Sequence, residues 1–294
     1  MVIEAFKQAF SVLKKRPLLL WGLSLMTTVI CGLAIGVTTP LLIIVGVGFA
    51  MIISTGMQKV YVDALQGKEV NSDQLFEGLK RKWTVLGALA WRVLWFCIWV
   101  VGSFAIPALL GGVVAAIGVG FLGRAQIVAT IFFVLGGIIF SVLGIGATCL
   151  TINRFFAYAF VPYIVITDPE VTFTEALRRS IVMTKGKKMS MFLSDLLFFA
   201  VIGIVSVVLL GLSLIPYVGG IFAAVYAVVM ALVGLFAPLF RGLYQAWFFV
   251  APTPEGADKP DFIDTWRAKL SGYAAAPAPA QTEEAPAEES KPEA

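Results

Sequence analysis

The 294-residue sequence contains no histidine and only three cysteines. Without histidine the chain lacks the commonest general base, the commonest metal ligand and the usual proton-relay residue. Cys31, Cys97 and Cys149 lie far apart within apolar runs and form no CxxC pair, so we predict neither a disulfide framework nor a zinc site. We therefore expect no catalytic residue, no metal and no cofactor, and we do not expect an enzyme.

Charge is also scarce, because charged residues make up 14% of the chain and hydrophobic residues 59%, with a mean hydropathy of +0.92. This composition leaves too little polar surface for a soluble globule. Several apolar stretches approach or exceed the roughly 20 residues that a membrane-spanning helix needs. We predict an all-α polytopic membrane bundle with about six transmembrane helices, placed at roughly 18–38, 41–57, 83–107, 126–150, 190–214 and 221–246.

Two segments leave the number of spans open. The Gly-rich segment 108–123 is short for a span, so it is either a re-entrant or interfacial piece or an extension of a neighbouring helix. If it crossed alone, the positive charges at 178–188 would move to the outer side. A crossing at 151–166 would give eight spans, but Asn153, Arg154 and Pro162 make that segment a poor lipid-facing helix.

Lysine and arginine cluster on one side of the predicted helical hairpins. The loops on the opposite side carry only Arg124, and Arg241 is counted with the basic residues after the last span. Because Lys and Arg are retained on the cytoplasmic side, we predict a multi-pass protein of the cell (plasma or inner) membrane with both termini in the cytoplasm. The basic clusters before the three hairpins are Lys14, Lys15 and Arg16; Lys80, Arg81 and Lys82; and Lys185, Lys187 and Lys188.

Each cluster ends a stretch in which acidic, apolar and basic residues follow in that order. The stretches are "EAFKQAFSVLKKRPLLL", "LFEGLKRKWTVLG" and "EALRRSIVMTKGKKMSM". We predict that each forms a basic amphipathic helix at the membrane interface, and that the nine clustered residues bind anionic lipid. A protein partner stays open. No basic face interleaved with aromatic residues occurs elsewhere, so a nucleic-acid partner is not expected.

The stretch "FAYAFVPYIVITDPEVTFTEALRRSIVMTKGKKMSMFLSDLLF", followed by a "PY" turn, resembles a poorly characterised prokaryotic multi-pass membrane family, a domain of unknown function. That family is related to the membrane domain found beside some glycerophosphoryl diester phosphodiesterases. The resemblance covers most of residues 1–250 and implies a helical membrane protein without an assigned reaction. Nothing in the chain resembles the phosphodiesterase catalytic domain, so that chemistry is not transferred.

Asp195 lies several residues inside the fifth predicted span, and its short side chain cannot reach water from that depth. We predict an intramembrane ion-pair network of Asp195 with Arg92 and Arg154. The alternative is that Ser194 and Asp195 form the N-cap of a helix that begins at the interface.

Residues 1–250 thus form a predicted transmembrane domain, and residues 251–294 a cytoplasmic low-complexity tail. The tail is rich in Ala, Pro and Glu without an apolar face, so we expect most of it to be disordered. The favoured function is a non-enzymatic membrane protein that engages anionic lipid or a membrane protein partner through its basic helices. The alternative is a small-solute transporter or channel, which the scarcity of intramembrane ionisable residues disfavours.

Overall fold

A computed structural model describes residues 1–36 and 43–252, of which 87% are helical and none lies in a strand. A 3-10 helix, Ser72–Phe76, precedes α4. The α-helices, in chain order, are α1 Val2–Lys15, α2 Pro17–Gly36, α3 Ile43–Leu65, α4 Glu77–Lys80, α5 Lys82–Gly120, α6 Gln126–Ala157, α7 Val161–Thr167, α8 Phe173–Met183, α9 Lys188–Ser213 and α10 Gly219–Val250. The predicted tail falls almost entirely outside the described residues, so its boundary stays a prediction.

Six helical segments of the described chain are long and apolar enough to cross a membrane. Most large apolar side chains along α5, α6 and α9 are exposed, as expected of helices that face lipid rather than a protein core. These features confirm the predicted all-α membrane fold with six spans. The segments are Pro17–Gly36, Ile44–Leu65, Lys82–Gly120, Gln126–Thr167, Lys188–Ser213 and Gly219–Val250.

The ambiguous segment 108–123 is mostly an extension of α5, which continues through Pro107 to Gly120. Glycines make this possible, because α5 and α6 pack closely there: a Cβ on Gly111 would lie 2.9 Å from the Gly136 carbonyl oxygen. A 39-residue helix is about 58 Å long, nearly twice the thickness of a hydrocarbon core. Helix α5 must therefore tilt or project beyond one face of the membrane.

The segment 151–166 does not form a separate span. Helix α6 runs to Ala157, and α7 adds only seven residues, far fewer than a crossing requires. Residues 161–166 are all buried, because α7 packs against α3, α5 and α8 rather than lipid. The eight-span alternative is therefore wrong.

The three basic stretches do not share one local structure. The first and third contain the helices α1 and α8, which bury small residues such as Ala5 and Ala176 against the bundle. The middle stretch breaks into the 3-10 helix, α4 and the start of α5, so the prediction of one amphipathic helix there is wrong. The 3-10 helix packs closely on α3, because a Cβ on Gly56 would overlap the Leu75 carbonyl.

The buried core lies where α1, α3, α7 and α10 meet. Its largest fully buried side chains include Phe160, Tyr244 and Phe248, and the ring of Phe6 on α1 packs edge-on against Tyr244 at 5.3 Å. Helix α3 contacts α2, α7 and α10, and it carries polar side chains among its apolar residues. This arrangement brings α3 polar groups together with arginines from α5 and α10.

Candidate functional site

Five of the nine predicted lipid-binding residues are exposed. They are Lys14, Lys15, Arg16, Lys80 and Lys82. The first three lie at the end of α1 and the start of α2, and the other two flank the start of α5.

Lys187 has a different role from the predicted one, because its side chain is 1% exposed. Its Nζ donates hydrogen bonds to the carbonyl oxygens of Phe248 at 3.0 Å and Ala251 at 2.5 Å. These carbonyls end α10, where unpaired acceptors and the helix dipole favour a cation. Burial lowers the pKa of the Lys187 ammonium from its usual value of 10.5. Lys187 is a buried helix cap, so its assignment to lipid binding is wrong.

Arg81 is also used inside the protein. Its Nη1 donates to the carbonyl oxygens of Val165 at 3.0 Å and Asp168 at 3.1 Å, and its Nη2 donates to that of Pro169. Arg81 therefore caps the end of α7, where the last carbonyls of a helix have no intrahelical partner. The sequence could not separate Arg81 from Lys80 and Lys82, because all three stand in one basic run.

The remaining two residues of the third cluster are half-buried rather than exposed. Lys188 Nζ donates to Asn153 Oδ1 at 3.2 Å, which ties the start of α9 to α6. Lys185 lies in the turn between α8 and α9. The third cluster thus contributes to packing at the membrane-proximal end of the bundle.

Asp195 lies seven residues inside α9, whose N-cap is Lys187, so the N-cap alternative is wrong. Asp195 is 7% exposed. Its carboxylate accepts hydrogen bonds from Arg241 Nη2 at 3.0 Å and Arg241 Nε at 3.3 Å. The Tyr244 hydroxyl and Gln245 Nε2 also donate to it. Asp195 therefore pairs across the last hairpin with Arg241 of α10.

The predicted partners of Asp195 lie elsewhere. The Arg154 guanidinium stands 4.0 Å above the centroid of the Trp99 ring, a cation–π contact between α5 and α6. Arg92 lines a separate cavity. The network of Arg92, Arg154 and Asp195 is thus not formed. Its true partner was detectable in principle, because Asp195 and Arg241 lie at similar sequence distances from the turn at Pro216.

Two cavities adjoin α3 and share its side chains Ser54 and Gln58. The Arg241 cavity, about 390 Å³, lies among α2, α3, α7 and α10 and is rich in hydroxyl and amide groups. The Arg92 cavity, about 270 Å³, lies among α3, α5, α6 and α7 and is mainly apolar. Pro238 of α10 lines the Arg241 cavity, and Pro162 of α7 lines the Arg92 cavity. Proline has no backbone N–H group, so neither residue donates a backbone hydrogen bond.

A third cavity, the Lys15 cavity, opens at the basic surface between α1 and the end of α3. It measures about 300 Å³, and three cationic side chains line it: Lys15, Arg16 and Lys68. The Lys68 Nζ lies 3.8 Å from the Asp63 carboxylate, and all three cationic side chains are exposed to solvent. The cavity therefore concentrates positive charge immediately before the first membrane span.

Helix length, lipid-facing apolar surface and these cavities define a polytopic helical membrane protein. A family model described as "Protein of unknown function (DUF975)" matches residues 7–232, most of the chain. The chain belongs to this family, in agreement with the predicted uncharacterised family. No curated protein and no solved structure matches the chain. The relation to the membrane domain beside glycerophosphoryl diester phosphodiesterases stays a prediction.

Proposed function

We propose that this protein is a non-enzymatic component of the cell membrane that binds anionic lipid headgroups at its basic face. The observation that carries the proposal is the Lys15 cavity, in which Lys15, Arg16 and Lys68 meet. Phosphate groups are the natural ligands of such a cluster, since each basic residue near a lipid surface contributes about 1 kcal/mol of attraction.

The position of the cavity supports this function. Helix α2 begins at Pro17, directly after Arg16, and Leu18 beside it is 79% exposed. A cation followed at once by an exposed apolar helix places the charge at headgroup depth and the helix in the hydrocarbon. Exposed Lys80 and Lys82 before α5 extend the basic surface in the same manner.

The experiment compares Arg16→Gln and Lys15→Gln with the unsubstituted protein, each purified in a mild detergent. Bound phosphatidylglycerol is measured by mass spectrometry of the lipid extract. We expect less anionic lipid in both variants, with a loss that shrinks as salt is raised. Arg124→Gln is the matched control, because it removes one exposed charge in the loop between α5 and α6. Equal lipid content in all four proteins would refute the proposal.

The proposed orientation places both termini in the cytoplasm, supported by the asymmetry between the basic clusters and Arg124. A membrane protein partner on the same basic face is the competing outcome of this experiment. It would appear as an Arg16→Gln variant that keeps its lipid but loses a co-purifying protein. A relation to the membrane domain beside glycerophosphoryl diester phosphodiesterases fits lipid binding and is proposed without its chemistry.

The Arg241 cavity favours transport as a second candidate function. Its hydroxyl and amide lining, which includes Thr28, Gln58 and Gln245, suits a polar solute inside a membrane bundle. A single cysteine in place of Thr28 tests this function with a membrane-impermeant thiol reagent. Labelling from both sides of sealed vesicles would support a transport path, and labelling from neither side would argue against one.

A further inference from the structure

We propose that the Arg92 cavity is a binding site for one anionic lipid with a hydroxylated headgroup. This site differs from the Lys15 cavity and does not depend on it. The inference combines three observations: an arginine without a counter-charge, a buried amide oxygen without a donor, and an apolar mouth open to the bilayer.

Arg92 supplies the charge. It is half-buried in α5, ten residues or about 15 Å from the start of the helix. Among the described residues it has no hydrogen bond and no acidic partner, whereas Arg241 in its own cavity is paired with Asp195. An arginine inside a membrane bundle is costly unless it is paired. The Arg92 cavity therefore selects an anion, and the Arg241 cavity does not.

Gln58 supplies a second requirement. Its Oε1 is buried and has no hydrogen-bond partner among the described residues, and the side chain lies between the Arg92 cavity and the Arg241 cavity. A buried acceptor without a donor is destabilising, so a ligand that brings a hydroxyl group would be favoured over one that does not. The cavity thus suits a phosphate or carboxylate that carries a nearby hydroxyl.

The lining decides in favour of a lipid over a soluble anion. Met51, Leu89 and Phe96 make the wall apolar, and Val93 and Phe155 at the cavity are 46% and 39% exposed. Exposed apolar groups on α5 and α6 face hydrocarbon, so an acyl chain can remain outside while the headgroup enters. The volume of about 270 Å³ is enough for a headgroup but not for whole acyl chains.

The experiment measures binding of three lipids with identical acyl chains to the purified protein by native mass spectrometry in a mild detergent. Lipids are loaded at 0.5 M salt before transfer to a volatile buffer, because salt weakens lipid binding at the exposed Lys15 cavity more than binding at a buried site. Phosphatidylglycerol carries one negative charge and the hydroxyls, phosphatidylmethanol the same charge without a hydroxyl, and phosphatidylcholine neither a net charge nor a hydroxyl. We expect this order of affinity.

Arg92→Gln should weaken binding of phosphatidylglycerol and phosphatidylmethanol about tenfold, since a charge-assisted bond is lost. Gln58→Leu should weaken phosphatidylglycerol alone. Arg154→Gln is the matched control, because it removes the same charge from α6 while leaving the cavity lining intact. Val93→Trp should block the cavity with Arg92 in place, which keeps the test valid if Arg92→Gln does not fold.

Competition with glycerol phosphate distinguishes a lipid headgroup from a soluble phosphate ester with the same groups. If it does not displace phosphatidylglycerol, the ligand is the lipid; if it does so at millimolar concentration, the site takes the soluble ester instead, and the lipid assignment is overturned. Wild-type affinities in both Arg92→Gln and Val93→Trp would overturn the site itself. Loss of lipid in Arg16→Gln but not in Arg92→Gln would leave the proposed function standing without this inference.

Discussion

The guanidinium of Arg241 on α10 lies 3.0 Å from the carboxylate of Asp195 on α9, and it also lies 5.3 Å from the Phe199 ring. The pair fixes the register of the last hairpin, because within residues 1–36 and 43–252 each of the two side chains has its ion-pair partner on the facing helix. Tyr244, which is fully buried, completes the coordination of Asp195. The Asp195 carboxylate thus joins α9 to α10 and holds Tyr244, whose ring packs against Phe6 of α1.

Breaking the Asp195–Arg241 pair should destabilise the protein strongly. We expect Asp195→Asn to cost about 3 kcal/mol, because it leaves a partly buried cation without its counter-charge. Arg241→Gln should cost at least as much, since it leaves the Asp195 carboxylate, whose side chain is 11% exposed, without its cation. Thermal unfolding in detergent measures both, and the double variant should lose much less than the sum of the single losses.

Arg154→Gln is the control for that comparison, because Arg154 contacts Trp99 rather than Asp195. Combined with Asp195→Asn, its effect should be additive. Coupling between Asp195 and Arg154 would instead support the network predicted from the sequence.

Lys187→Met should destabilise the protein by about 2 kcal/mol, because two carbonyls at the end of α10 lose a charged donor. Lys188→Met is the matched control and should cost less, since its bond to Asn153 is partly exposed. Thermal unfolding compares the variants, and lipid retention should be unchanged in Lys187→Met. A loss of bound lipid without a loss of stability would show that Lys187 binds lipid and does not cap α10.

The contribution of Lys187 to stability should also depend on pH. Burial lowers the pKa of its ammonium in the folded protein below the usual 10.5, so the unfolded chain binds the proton more tightly. Between the folded and unfolded pKa values, stability therefore rises with pH. The difference in Tm between wild type and Lys187→Met should increase as pH rises towards about 10.5. A difference that falls over this range would contradict the assigned direction.

Arg81→Gln should lower the free energy of unfolding by about 1 to 2 kcal/mol, because the end of α7 loses a cap made of three hydrogen bonds. Lys82→Gln, one residue later and exposed, should leave stability unchanged and reduce anionic lipid retention instead. Thermal unfolding and lipid extraction on the same samples separate the two roles. Equal losses of stability and of bound lipid in the two variants would show that Arg81 and Lys82 act together as one basic surface.

Topology can be measured with single cysteines in a background without Cys31, Cys97 and Cys149. We expect an impermeant thiol reagent to label the exposed positions 69 and 186 from the cytoplasm and position 124 from outside, because Lys and Arg are retained on the cytoplasmic side. Labelling of 69 and 186 from opposite sides would rule out the six-span arrangement.

The amino-acid sequence by itself determined the all-α membrane fold and favoured six spans over eight. Both follow from local properties, since about 20 consecutive apolar residues form a spanning helix whatever their neighbours. It also indicated that Asp195 either has a charged partner or caps a helix, because a carboxylate within a membrane is costly unless it is paired.

Tertiary structure alone decided which cations serve which purpose. Arg81 and Lys187 look like their neighbours in sequence, yet each reaches a helix end that a distant segment supplies. The partner of Asp195 and the meeting of Arg92 with Gln58 likewise depend on how helices far apart in sequence pack together. Composition and periodicity describe one helix at a time, whereas a cap, an ion pair or a cavity is formed between helices.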